Sequence, residues 1–169
     1  MILLGSTGSI GVNTLNVARR FDLNVEVLVA GSNINLLNEQ IKEFNPKKVV
    51  IAKKEDVHKV NHTDVKSGEE SILEVIENST SKTVVNSLVG FLGLKPTLKA
   101  IQCDKKIALA NKESLVVAGK FIGKSRLMPI DSEHFGLWYL MQDKKIDSMT
   151  VTASGGSFRD YPLEKLKDV

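Results

Sequence analysis

The sequence predicts an α/β fold, a Rossmann-like doubly wound and mainly parallel sheet followed by the start of a second α/β catalytic domain. Three observations carry that expectation. Short β-rich runs recur along the chain as "MILLGS", "VEVLVAG", "KKVVIA", "KTVVNSLVG", "KKIALANKES", "RLMPIDSE" and "SMTVTASGG". Segments of helical period separate most of them, and that alternation favours parallel βαβ units. The first run ends in "GSTGSIG" and passes at once into a helical pattern, which is where a phosphate-binding turn falls in a doubly wound sheet.

The helices follow in order. Residues 12–19 are apolar at Val12, Leu15, Val17 and Ala18. Residues 35–44 place Leu36, Leu37, Ile41 and Phe44 along one side and stop before Pro46, because a residue preceding proline avoids the α region. Residues 69–77 carry Ile72, Leu73 and Ile76, and a further helix starts at Glu113 or Ser114. The expected domains are residues 1–130, a dinucleotide-binding unit, and residues 131–169, the beginning of a catalytic unit. Residues 53–68 are the most polar stretch, with His58 and His62 four apart; with no third ligand nearby they are read as surface residues rather than a metal site.

Bulk properties exclude several classes. A chain of 169 residues holds one full core and part of another unit, and 42% hydrophobic with 25% charged residues is ordinary for a soluble globular protein. No apolar run reaches the ~20 residues of a membrane span. The net charge of +3 comes from dispersed lysines with no basic stripe, so neither nucleic acid nor membrane is an expected partner, while an anionic small molecule is. Cys103 is the sole cysteine and reads as a buried or half-buried filler, which fits a reducing compartment; the expected location is cytoplasmic.

Five motifs carry chemistry. In "GSTGSIG", Gly5, Gly8 and Gly11 form a turn before a helix N-terminus, presenting N–H groups and a positive dipole end to phosphate, with hydroxyls from Ser6, Thr7 and Ser9. The second β-run ends "VAGSN", with Gly31, Ser32 and Asn33 and no acid for an NAD ribose, which favours NADP. "ALANKESL" puts Asn111, Lys112 and Glu113 at a strand end; Lys112 there is either an oxygen-binding point charge or a solvated helix start. "TASGGSFRD" sets Ser154 and two glycines in an anion-binding nest or a tight turn. "PIDSEH" pairs Asp131 and Glu133: side by side if the strand continues, merely solvated if it has ended. All five follow the ends of expected strands, and in that setting the two acids read as hard oxygen ligands for Mg²⁺ or Mn²⁺.

"GSTGSIG", "ANKESLV", "PIDSEH" and "SGGSFR", in this order and at these separations, resemble the 1-deoxy-D-xylulose 5-phosphate reductoisomerases over the length of the chain. The resemblance implies an NADP-dependent, divalent-metal-dependent oxidoreductase of non-mevalonate isoprenoid biosynthesis, acting on a phosphorylated ketose and forming a homodimer at full length. It implies that Thr7, Gly8, Ser9 and Ile10 contact the NADPH phosphates, that Gly31, Ser32 and Asn33 lie near the adenosine, and that Asn111 and Glu113 lie nearer the nicotinamide. Lys112, Ser132, Glu133 and Ser154 would meet the substrate, and Asp131 and Glu133 the metal. Ser32 stands where the family often has lysine, so recognition of the 2′-phosphate here rests on neutral donors. The family continues with a tryptophan- and histidine-bearing loop, a segment supplying a third metal carboxylate and a helical domain, so the chain is expected to be the amino-terminal part, inactive alone. The alternatives are another NADP-linked dehydrogenase, similar to homoserine dehydrogenase, and a non-catalytic NADP-sensing module; neither needs the paired acids.

Overall fold

The computed structural model describes residues 1–120, 122–123, 127–142, 145–150, 162 and 164–165. The chain divides into two compact units, Met1–Ile130 and Asp131–Val169. In the first unit, β1 (Ile2–Leu4), β2 (Val27–Ala30), β3 (Lys48–Ile51), β4 (Val65–Ser67), β5 (Thr83–Asn86), β6 (Lys106–Leu109) and β7 (Leu127–Pro129) form one sheet in the order β4-β3-β2-β1-β5-β6-β7. Every pairing is parallel; Leu3, for example, stands between Leu28 and Val85.

Side chains alternate across a strand, so neighbouring residues feed opposite faces. Leu3, Leu28, Val49 and Val85 lie on one face and pack with Leu15, Ala18, Leu37 and Ile41 from α1 (Ser9–Arg20) and α2 (Ile34–Phe44). Ile2, Leu4, Val27, Val29 and Val84 lie on the other, against Val75, Ile76 and Ala100 from α3 (Glu69–Asn78) and α4 (Leu94–Gln102). Both faces are thus covered, which is why these strands read as continuous apolar runs. Full burial of a residue such as Leu37 contributes about 1.5–3 kcal/mol. Two further helices follow, α5 (Lys112–Ala118) and, in the second unit, α6 (Ser132–Leu140).

Several expectations shift. Helix α1 starts at Ser9, so Gly11 is inside it, and Val17 is exposed because it lies about 200° around the helix from buried Leu15. The polar stretch holds strand β4 and a 3₁₀ turn, Lys54–Lys59. His58 is on that turn and exposed, as read, whereas His62 lies beyond it and is half-buried, its ring nitrogens 3.0 Å from the Asp64 carbonyl and 2.9 Å from that of Pro46. His62 therefore ties a loop and is not a surface residue. Cys103 is half-buried at the end of α4. The expected strand in "SMTVTASGG" falls mostly outside the described residues.

The amino-terminal edge of the sheet is closed by a buried polar cluster. The Glu26 carboxylate accepts hydrogen bonds from the Thr80 amide and hydroxyl at 3.1 Å and from the Ser81 amide and hydroxyl at 2.8 and 2.5 Å. Burial acts to raise this carboxyl, but the bonds from Ser81, Ser79 and Thr80 outweigh it and hold it down at about 2. Beside it, buried Lys105 donates to the carbonyls of Ser79 and Ser81 at 2.9 and 2.7 Å.

Candidate functional site

The strand order reverses direction between β1 and β5, and open α/β sheets bind ligands outside the carboxyl ends of the strands at such a point. Residues 5–8 leave β1 there and residues 87–93 leave β5. The two loops touch: the Ser87 amide donates to the Leu4 carbonyl at 3.0 Å and its hydroxyl to the same oxygen at 2.6 Å.

The three glycines of the first loop do different work. Gly5 has φ +85°, and a Cβ on it would stand 2.8 Å from Ser87 Oγ, so the turn and the loop contact both require glycine. A Cβ on Gly11 would meet the Gly5 carbonyl oxygen at 2.2 Å; this glycine lets the helix lie close on the loop. Gly8 differs from both. Its backbone is ordinary, φ −80° and ψ 169°, and the nearest atom to a Cβ would be Gly5 O at 3.4 Å. It is exposed and leaves room for a ligand's close approach.

Gly8 also caps α1 without a side-chain bond, and the first turn of that helix holds no acid. Its first amides and positive dipole end are open to an external anion. Thr7 and Ile10 are half-buried and Ser9 is exposed at the rim. Below, the Gln40 amide donates to the Ser6 carbonyl at 2.9 Å and anchors the loop from α2. Beyond β2, Gly31, Ser32 and Asn33 are exposed; no carboxylate stands there, and the Asn33 side chain caps α2 by accepting from the Leu36 amide at 3.3 Å.

After β6, Asn111 is 1% exposed and its side-chain amide is fully engaged. It donates to the carbonyls of Leu88 and Gly90, each at 2.8 Å, and accepts from the Ser114 amide at 3.1 Å and from the Ser114 hydroxyl. Lys112 is exposed and Glu113 half-buried in the first turn of α5. Sequence reasoning overlooked residues 87–93, because "KTVVNSLVG" reads as a strand and only the strand order places its end opposite the glycine turn.

In the second unit the paired acids are not on a strand. β7 ends at Pro129, Asp131 caps α6 and Glu133 is in that helix's first turn. Asp131 accepts from the His134 amide at 3.0 Å and lies 2.6 Å from His134 Nδ1, while the Ser132 hydroxyl donates to Glu133 at 3.1 Å. Burial acts to raise the Asp131 carboxyl, and the bonds from His134 outweigh it, so it is held below its ordinary value and charged at neutral pH. A charged Asp131 and an exposed Glu133 suit a hard cation, although among the described residues no three His, Cys, Asp or Glu side chains gather to hold one. Ser154 lies outside the described residues. No helix among them is long and apolar enough to cross a membrane.

A parallel sheet with a glycine turn and an uncapped helix N-terminus at its switch point defines a doubly wound, Rossmann-type α/β unit. The chain belongs to the 1-deoxy-D-xylulose 5-phosphate reductoisomerase family: residues 1–119 match the profile of that name, and residues 127–169 match that of the reductoisomerase C-terminal domain. It is 57% identical to the 1-deoxy-D-xylulose 5-phosphate reductoisomerase of Nautilia profundicola, over 99% of this chain and 48% of that protein. With the Wolinella succinogenes protein of the same name the identity is 53%, over 98% of this chain and 47% of the relative. The chain thus spans about half the length of the curated relatives it matches. A crystal structure of DOX-P reductoisomerase in complex with NADPH, fosmidomycin and magnesium superposes with a TM-score of 0.81 at 31% identity, covering 99% of this chain and 48% of that one. The Zymomonas mobilis reductoisomerase in complex with NADPH gives 0.72 at 34% identity, over 79% and 39%.

Proposed function

We propose that this chain forms the NADPH-binding unit, residues 1–130, and the start of the catalytic unit, residues 131–169, of an enzyme converting 1-deoxy-D-xylulose 5-phosphate to 2-C-methyl-D-erythritol 4-phosphate. The observation that carries the reading is the open, acid-free α1 terminus behind Gly8 at the switch point, in a family with a solved member that holds NADPH, fosmidomycin and magnesium. The reaction is a rearrangement of the ketol skeleton followed by hydride delivery from NADPH to the resulting aldehyde.

Thr7, Gly8, Ser9 and Ile10 bind the pyrophosphate, and Gly31, Ser32 and Asn33 take the adenosine end. Glu113 and the backbone at Asn111 border the nicotinamide; the Asn111 side chain is committed to the carbonyls of Leu88 and Gly90 in the loop after β5. Lys112, Ser132, Glu133 and Ser154 orient the anionic, polyhydroxylated substrate. Asp131 and Glu133 hold Mg²⁺ or Mn²⁺, which when bound supplies Lewis acidity to neighbouring ketone and hydroxyl oxygens. The full-length protein is a cytoplasmic homodimer in this reading.

Calorimetric titration with both cofactors tests it. The expected result is NADPH binding at least tenfold tighter than NADH, about 1.4 kcal/mol. Equal or inverted affinities refute the assignment. This chain alone is expected to oxidise no NADPH with the substrate, whereas a chain of its relatives' full length does.

A further inference from the structure

We propose that Asn86 and Asn111 are positioning residues that clamp residues 88–93 from two sides, and so fix the wall of the dinucleotide crevice on the nicotinamide side. The inference rests on the cofactor reading above and deepens it.

Asn86 ends β5 with no exposure. Its amide nitrogen spends both protons, on the Gly93 carbonyl and on Thr97 Oγ1, each at 2.9 Å, and its oxygen accepts from the Leu88 amide at 3.2 Å. Thr97 closes the ring by donating to the Gly93 carbonyl at 2.8 Å. Asn111 grips the same loop from the β6 side through the carbonyls of Leu88 and Gly90. The fit leaves no slack, since a Cβ on Gly93 would stand 2.3 Å from Asn111 Cγ.

Leu88 packs against the core, but Val89, Phe91 and Leu92 are 82%, 65% and 61% exposed, so apolar packing anchors only the first residue of the segment. Two buried, saturated amides hold its backbone instead, and satisfied buried polar networks impose one conformation where apolar contacts tolerate several. Such a device is more than a connection between β5 and α4 requires.

Its location gives it a use. The adenosine end of a dinucleotide lies by the end of β2 and the pyrophosphate at the first glycine turn, so the nicotinamide half crosses toward β5 and β6, where this loop stands. A loop already fixed there spares the cost of ordering it when the ligand binds.

The test separates the halves of the cofactor. The chain, Asn86→Ala and Asn111→Ala are titrated with NADPH and with adenosine 2′,5′-bisphosphate, which carries only the adenosine end. The clamp predicts that each variant loses tenfold or more in NADPH affinity, holds adenosine 2′,5′-bisphosphate within twofold, and quenches or shifts nicotinamide fluorescence less than the unsubstituted chain does. If an alanine variant does not fold, Thr97→Val removes one partner of Asn86 with little change of shape, and a severalfold loss confined to NADPH is expected. Equal weakening of both ligands makes the asparagines merely structural and overturns the proposal, as does unchanged NADPH affinity. Failure of the unsubstituted chain to bind NADPH at all is a different result: it overturns the cofactor reading first and the clamp with it.

Discussion

Alanine at Gly8 and alanine at Gly11 are expected to fail in opposite ways. At Gly11 the new methyl carbon would stand 2.2 Å from the Gly5 oxygen and 2.6 Å from the Ser6 carbonyl carbon and oxygen. These are backbone atoms of a loop pinned by Val29, whose carbonyl accepts from the Gly5 and Ser6 amides, each at 2.8 Å, so no rotamer change relieves the overlap. Overpacking of this kind costs about 3 kcal/mol or more. At Gly8 the backbone is extended and open, so alanine gains ~0.4–1 kcal/mol from the unfolded chain and loses a similar amount as a poorer cap, leaving stability within about 0.5 kcal/mol. Cofactor affinity should nonetheless fall at least tenfold, about 1.4 kcal/mol, because the methyl group stands where the pyrophosphate approaches. Urea unfolding followed by circular dichroism gives the first quantity and NADPH titration the second. If Gly8→Ala binds NADPH like the unsubstituted chain, or Gly11→Ala unfolds at the same urea concentration, the division of roles is wrong.

Two further outcomes follow from the carboxylates. The Glu26 carboxyl is lowered from 4.5 to about 2, so its stabilisation is complete above pH 4.5 and lost as pH falls through 2, and the shift is worth roughly 3 kcal/mol at most. The urea stability of Glu26→Gln, subtracted from that of the unsubstituted chain, should shrink across that window; a constant difference would refute the assignment. Asp131→Asn with Glu133→Gln should abolish Mn²⁺ binding measured by water-proton relaxation while leaving the helix intact, since asparagine caps as well as aspartate. Unchanged Mn²⁺ affinity would remove the metal role.

Much of the sheet was legible because strands buried on both faces are continuous apolar runs, and "ILL", "VLVA" and "TVVN" have no other good reading. Strand β4 was not, for "VKS" is three half-buried residues at an edge and carries a lysine. Helix α4 went unread because Pro96 interrupts "LKPTLKAIQ"; it falls in the first turn, where proline lacks only an amide that has no partner anyway. "PIDSEH" was read as side-by-side acids on a strand or as solvated acids past its end. The strand does end, yet Asp131 caps α6, a role that a short apolar run before an acid does not announce. Asn86 shows the deeper limit. A polar residue closing an apolar strand gives no sign of its partners, which lie 7 and 11 residues further on, at the end of the following loop and in the first turns of α4.

That order also explains why one helix end differs from the others in the first unit. The amides at the start of α2 and α5 are met by Asn33 and Asn111, and α3, which has no side-chain cap, carries Glu69 and Glu70 in its first turn. Helix α4 also has no side-chain cap and no acid in its first turn, but it runs on from the 3₁₀ turn Gly90–Gly93, so that the Leu94 amide donates to the Phe91 carbonyl. At the far edge of the sheet even a buried carboxylate and a buried ammonium have their partners within the chain. Helix α1 likewise has neither a side-chain cap nor an acid, but it opens directly from the glycine turn, after the one glycine of its loop that neither backbone geometry nor packing requires. That end stands at the reversal of strand order, across from a loop held by Asn86 and Asn111, which is where an open α/β sheet takes the phosphates of a nucleotide on a helix N-terminus.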